Sequence, residues 1–104
     1  MTWVELVDGA ATPRQQRLVA VGTELLHRRW PGIRLRTFAL PDDDAVLLVQ
    51  PVRGGVSLFV APDESVMFFA SAIEPGAALE LFRSGMRTDK ANFDPTEPEA
   101  RESR

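Results

Sequence analysis

The sequence predicts an α+β domain: an N-terminal helix, a four-stranded antiparallel meander, a short C-terminal helix and a disordered polar tail. Three observations carry this prediction. Apolar residues recur at three- and four-residue spacing between Pro13 and Trp30, the period of a helix with one buried face. The period changes to two after Ile33, and the apolar runs from there to Ala70 are separated only by short turns. A proline, Pro75, then stands where a second helix would begin.

The elements follow in order. Residues 2–7 alternate loosely and end at the turn dipeptide Asp8-Gly9; they fit either a short strand or a helical lead-in. Thr12 is an N-cap type, Pro13 suits the first helical position, and Gln15 stands three residues after Thr12, which together make a capping box. Leu18, Val21, Gly22, Leu25, Leu26 and Trp30 form the apolar stripe, and Pro31-Gly32 ends the helix. Gly22 on that stripe costs roughly 1 kcal/mol of helix stability relative to alanine, which close approach to the sheet would offset. Strands are expected over 33–40, 45–52, 56–61 and 65–70, with turns at Pro41–Asp44, Arg53–Gly55 and Pro62–Glu64. Parallel neighbours need a long crossover, so connections this short make the sheet an antiparallel meander. Ser71 or Glu74 would cap the second helix, Ala78, Leu79 and Phe82 would form its apolar side, and Gly85 would end it. The expected domain covers residues 1–88. Residues 89–104, with Pro95, Pro98 and mixed charge, read as a flexible tail.

Composition removes several classes of function. Apolar residues make up 44% of the chain, enough for a packed core in one domain. There is no cysteine, which excludes disulfides, thiolate nucleophiles and cysteine-ligated metal centres. No stretch approaches ~18 uninterrupted apolar residues, so no membrane-spanning helix is expected. The N-terminus lacks the basic start and apolar run of a secretory signal, and the expected location is the cytoplasm. A single lysine, Lys90, against many arginines, with abundant Ala, Gly and Pro, has the look of a high-GC bacterial genome. The net charge is −3. Six arginines and one acid, Glu24, occupy residues 14–36, but the overall negative charge and the lack of interleaved stacking aromatics argue against nucleic acid.

No catalytic constellation emerges. His27 is the only histidine, on a helix between basic residues, and reads as a surface residue. Asp42-Asp43-Asp44 lacks the alternating ligands and distal glutamate of a calcium loop and reads as a solvated turn. None of Ser57, Ser65, Ser71 and Ser84 lies in a nucleophile elbow. The Gly54-Gly55 turn leads into a strand, not into the helix N-terminus that a phosphate cradle requires. No catalytic residue, cofactor or metal ligand is therefore assigned.

Two surfaces are candidates for binding. Arg34, Arg36, Phe38 and Leu40 alternate onto one face of a strand, as either a charge-protected edge or a partner-binding surface. Met67 and Phe69 share the other candidate face, and with Leu47-Leu48-Val49 they demand cover on both sides of the sheet. Left uncovered, a face of this kind marks an interface; the alternative is that residues 1–10 or the tail cover it. A protein partner or self-association is the expectation. The alternative is a small enzyme, or an enzyme subunit, in which Arg34 and Arg36 clamp an anionic ligand.

The run Val60-Ala61-Pro62-Asp63-Glu64-Ser65-Val66-Met67-Phe68, then Ser71, then Pro75 to Phe82 and Arg83, resembles the end of small bacterial YrhB-like proteins, which themselves resemble immunity proteins of polymorphic toxin systems. The resemblance covers roughly residues 12–85, as a helix, a meander and a proline-initiated final helix. It implies a non-enzymatic protein that binds and neutralises a toxin partner, and it assigns no functional residue.

Overall fold

A computed structural model describes residues 3–6, 11–70 and 73–94. Helix α1 spans Pro13–Arg29. Its capping box forms as the sequence requires: Gln15 N–H donates to Thr12 Oγ1 at 3.1 Å, and Thr12 N–H donates to Gln15 Oε1 at 2.9 Å. Two of the donors that every helix N-terminus leaves unpaired are thus satisfied. His27, Arg28 and Arg29 end the helix on the favourable side of its dipole.

The sheet has five strands: β1 (Val4–Glu5), β2 (Arg36–Leu40), β3 (Ala45–Val49), β4 (Val56–Val60) and β5 (Val66–Ala70). They pair in chain order, and every pairing is antiparallel. The expected meander is present and gains one strand. β1 lies beside β2 with Val4 opposite Ala39 and Glu5 opposite Phe38, which decides between the two readings of residues 2–7 for the part described. β2 is shorter than the expected 33–40. The register that sets Arg36 opposite Val49 would bring Arg34 opposite Pro51, which has no N–H to give to a ladder; residues 33–35 leave the sheet there. The acidic turn includes a 3-10 turn at Pro41–Asp43.

Helix α2 spans Pro75–Arg83, and the Glu74 carboxylate accepts the Ala77 N–H at 3.0 Å as its cap. Ser71, the other candidate cap, lies outside the described residues. The chain stays packed beyond the expected boundary at 88. Lys90–Phe93 form a 3-10 turn, and Phe93 is buried in the core. Only residues 95–104 of the expected tail lie outside the described residues.

The two helices sit on opposite faces of the sheet. α1 packs its Leu18, Leu25 and Leu26 against Val46, Leu48, Leu58, Val60 and Val66. α2 packs Ala78, Leu79 and Phe82 against Leu40, Leu47, Phe59, Met67 and Phe69. The strands alternate between these two cores with period two. Phe59 lies between Phe69 and Phe82 with ring centroids 5.1 and 4.8 Å away. Each fully buried leucine or phenylalanine contributes about 1.5–3 kcal/mol of transfer free energy, so the sheet is stabilised from both sides. The face the sequence left without obvious cover is occupied by α2 and, at its β1 end, by Trp3.

Candidate functional site

Of the six residues the sequence offered as a partner surface, Leu40, Met67 and Phe69 are core: 1%, 2% and 4% exposed under α2. A partner could reach them only by displacing that helix, so they are corrected from surface to interior. The sequence could not say which face a nine-residue helix would cover. Phe38 is half-buried between the Trp3 ring at 6.4 Å and the Arg36 guanidinium at 5.5 Å. Arg36 donates to both carboxylate oxygens of Glu5, at 2.8 and 2.7 Å. That pair lowers the Glu5 carboxyl below the ordinary glutamate range and raises the Arg36 guanidinium, the hydrogen bond being the main cause of both shifts. Arg36 is thus committed to holding β1, and the two-arginine clamp of the enzyme alternative loses one member.

Arg34 stands apart. It lines a groove of about 460 Å³ with Gly32, Ile33, Gln50, Pro51 and Val52. The groove opens where residues 33–35 have parted from β3 and where the β3–β4 connection makes two tight turns, Val52 N–H donating to Gln50 O at 2.8 Å and Gly55 N–H to Val52 O at 2.9 Å. Glycine is required at 55. A Cβ there would lie 2.5 Å from Gln50 O and 2.9 Å from Val52 O, so the close backbone approach excludes any side chain. Gln50 Oε1 accepts the Val56 N–H at 3.3 Å, which leaves its carboxamide N–H as the group it can offer a ligand. Val52, at 58%, is the most exposed of the large apolar residues described.

The remaining arginines sharpen the contrast. Seven of the nine described are held. Arg14 pairs with Asp44, Arg17 with Glu64, Arg28 with Glu24 and Asp94, Arg36 with Glu5, and Arg83 with Asp43. Arg29 donates to Asn92 O, and Arg87 to Ser65 Oγ and Phe82 O. Of the described arginines, only Arg34 and Arg53 have no side-chain hydrogen bond or ion pair with another described residue. Both belong to the segments that frame the groove. No Asp or Glu occurs in residues 25–41 or 45–62, so neither framing segment brings an acid of its own.

The acidic turn has a structural role that the sequence reading missed. Asp43 receives both donors of Arg83 at 2.9 Å, and Asp44 pairs with Arg14 at 3.0 Å. One turn thereby ties the start of α1 and the end of α2, and the Arg83 guanidinium is raised by its hydrogen bond to Asp43. His27 Nε2 lies 3.2 Å from Ile33 O; a carbonyl only accepts, so the imidazole donates there and helps set the chain entering the groove. Among the described residues, no group of three or more His, Asp or Glu could hold a metal ion, and no helix is long and apolar enough to cross a membrane. Compared with known family models, curated proteins and solved structures, the chain has no match in any of the three.

Proposed function

We propose that this protein is a non-catalytic, cytoplasmic protein-binding module, immunity-like in kind, that engages its partner at the Arg34 end of the sheet. One observation carries the reading. The two unpaired guanidinia and the most exposed large apolar side chain described, Val52, belong to the same end of the fold. Elsewhere, the described arginines are engaged and the central sheet is covered. A surface that combines unpaired arginine with exposed apolar area has the composition of a binding patch. The resemblance to immunity-type proteins points the same way. The surface offered to a partner differs from the sheet face expected from sequence, because a helix lies on each side of the sheet.

Position-specific photocrosslinking in producing cells tests this. A photoreactive residue placed at Val52 is expected to give a discrete adduct with one other protein. The same group at Glu80, exposed on α2, is expected to give none. No adduct at Val52, or the same adducts from both positions, overturns the proposal. Light scattering of the purified chain reports self-association separately.

A further inference from the structure

We infer that the occupant of the Arg34 groove is an acidic peptide segment of the partner, with carboxylates placed beside an apolar residue. This rests on the binding-module reading and names the chemistry its partner must bring. The groove supplies donors and lacks an acid. Arg34 presents a guanidinium with no acceptor among the described residues, and the carboxamide N–H groups of Gln50, whose Oε1 accepts from Val56 N–H, have none among them either. Arg53 adds a second unpaired guanidinium on the adjoining turn. The segments 25–41 and 45–62 contain no acid, so this end is locally basic in a chain of net charge −3.

Guanidinium is well matched to carboxylate, which it can bind through two parallel hydrogen bonds. Beside Arg34 the lining includes Ile33, Pro51 and Val52, which rewards an apolar side chain and gives nothing to a bare anion. A free phosphate would leave that apolar surface wet. Nucleic acid would require stacking aromatics and a longer run of phosphate contacts, whereas no aromatic residue lines the groove. Charge complementarity together with apolar lining therefore selects a peptide that carries both acid and hydrophobe.

Selection of a displayed library of random twelve-residue peptides against the intact protein tests this directly. Enriched peptides are expected to be net acidic with at least one large apolar residue. Their affinity is expected to fall at least tenfold when each Glu or Asp is changed to its amide. It is expected to fall at least tenfold against Arg34→Glu/Arg53→Glu, and to fall by less against Arg34→Lys/Arg53→Lys, which keeps the charge and loses the two-point geometry. Both sites are exposed and circular dichroism checks that each variant folds. Amide chemical shifts should move at residues 32–34, 50 and 52–55. Neutral or basic winners, winners that bind the charge-reversed variant unchanged, or an empty selection overturn the inference. So does tighter binding of inorganic phosphate or of a twelve-nucleotide single-stranded DNA at the same amides. Winners of another chemistry that bind elsewhere sink this inference alone, whereas failure of the Val52 crosslink sinks the binding-module reading.

Discussion

Arg36 and Glu5 form a two-point ion pair, 2.8 and 2.7 Å, diagonally across the junction between β1 and β2, where Glu5 stands opposite Phe38. β1 is only two residues long, so this pair, the Leu6 N–H bond to Thr37 O at 2.8 Å and the Trp3–Phe38 contact reinforce its short ladder with β2. The Glu5 carboxyl titrates below its ordinary value because Arg36 binds its charged form. A lowered folded-state pKa stabilises the protein fully above the unfolded glutamate value, and that contribution is lost as pH falls through the lowered one. Arg36→Gln should therefore unfold at lower urea than the parent near pH 7. The gap should hold down to about pH 5 and close below about pH 4. A carboxyl-carbon NMR titration should show Glu5 returning toward the ordinary range in the variant. A gap that widens in acid would contradict this assignment.

At Gly22, α1 lies close against the sheet. A Cβ at this position would meet Leu48 Cδ1 and Val60 Cγ2 at 3.0 Å each. Both neighbours are wholly buried, so they have little room to yield. Alanine would gain about 1 kcal/mol of helix propensity and lose about 1–3 kcal/mol to overpacking. Gly22→Ala should be destabilising by about 1 kcal/mol in urea unfolding, and Gly22→Val by about 3 kcal/mol. In a Leu48→Val background the cost of Gly22→Ala should shrink, a coupling that a double-mutant cycle reads. An unchanged cost would mean that the helix does not rest on Leu48.

These residues also show what was legible in the chain. The local chemistry of Thr12, Pro13 and Gln15 specified the start of α1, because capping is decided within four residues. The meander follows from connection length, and a glycine on the apolar stripe, Gly22, implies close packing against the sheet. The faces were harder. Whether Met67 and Phe69 meet solvent depends on where α2 docks, and that is set by contacts between residues far apart in sequence, such as Arg83 with Asp43. The same holds for the site. Arg34 and Arg36 look alike on an alternating strand, yet one finds Glu5, 31 residues away, while the other lies past the point where Pro51 ends the ladder. Arg53 carried no signal of its own until the partners of the other arginines were known.

Phe59 is the central residue of the α2 core, fully buried and stacked against both Phe69 and Phe82. Phe59→Ala leaves a cavity that neither rings nor backbone can refill and should cost about 3–5 kcal/mol. For a domain of this size that is a large share of total stability. Phe59→Leu keeps part of the volume and should cost less. Hydrogen exchange separates this from a uniform loss. In Phe59→Leu, amides of residues 78–83 should lose protection more than those of α1, because α2 is fastened chiefly by this face. Equal loss in both helices would show that the two cores open together.

Thr88 closes the far edge of the sheet. Its N–H donates to Val66 O at 2.7 Å, and its hydroxyl oxygen accepts the Phe68 N–H at 2.9 Å. These are two of the outward-facing groups of β5, a strand of sequence Val-Met-Phe-Phe-Ala whose open edge would invite pairing with another chain. Thr88→Val removes only the side-chain acceptor and should cost about 1 kcal/mol, without changing the mass measured by light scattering. Thr88→Pro also removes the backbone donor, leaving Val66 O and Phe68 N–H both without their partners. It should cost more than Thr88→Val and raise the scattering mass with concentration, as β5 edges pair between molecules. If Thr88→Pro keeps the parent's mass at every concentration while remaining folded, the edge is protected by something other than Thr88. The adjoining Lys90–Phe93 turn, anchored by buried Phe93, would then be the next element to remove.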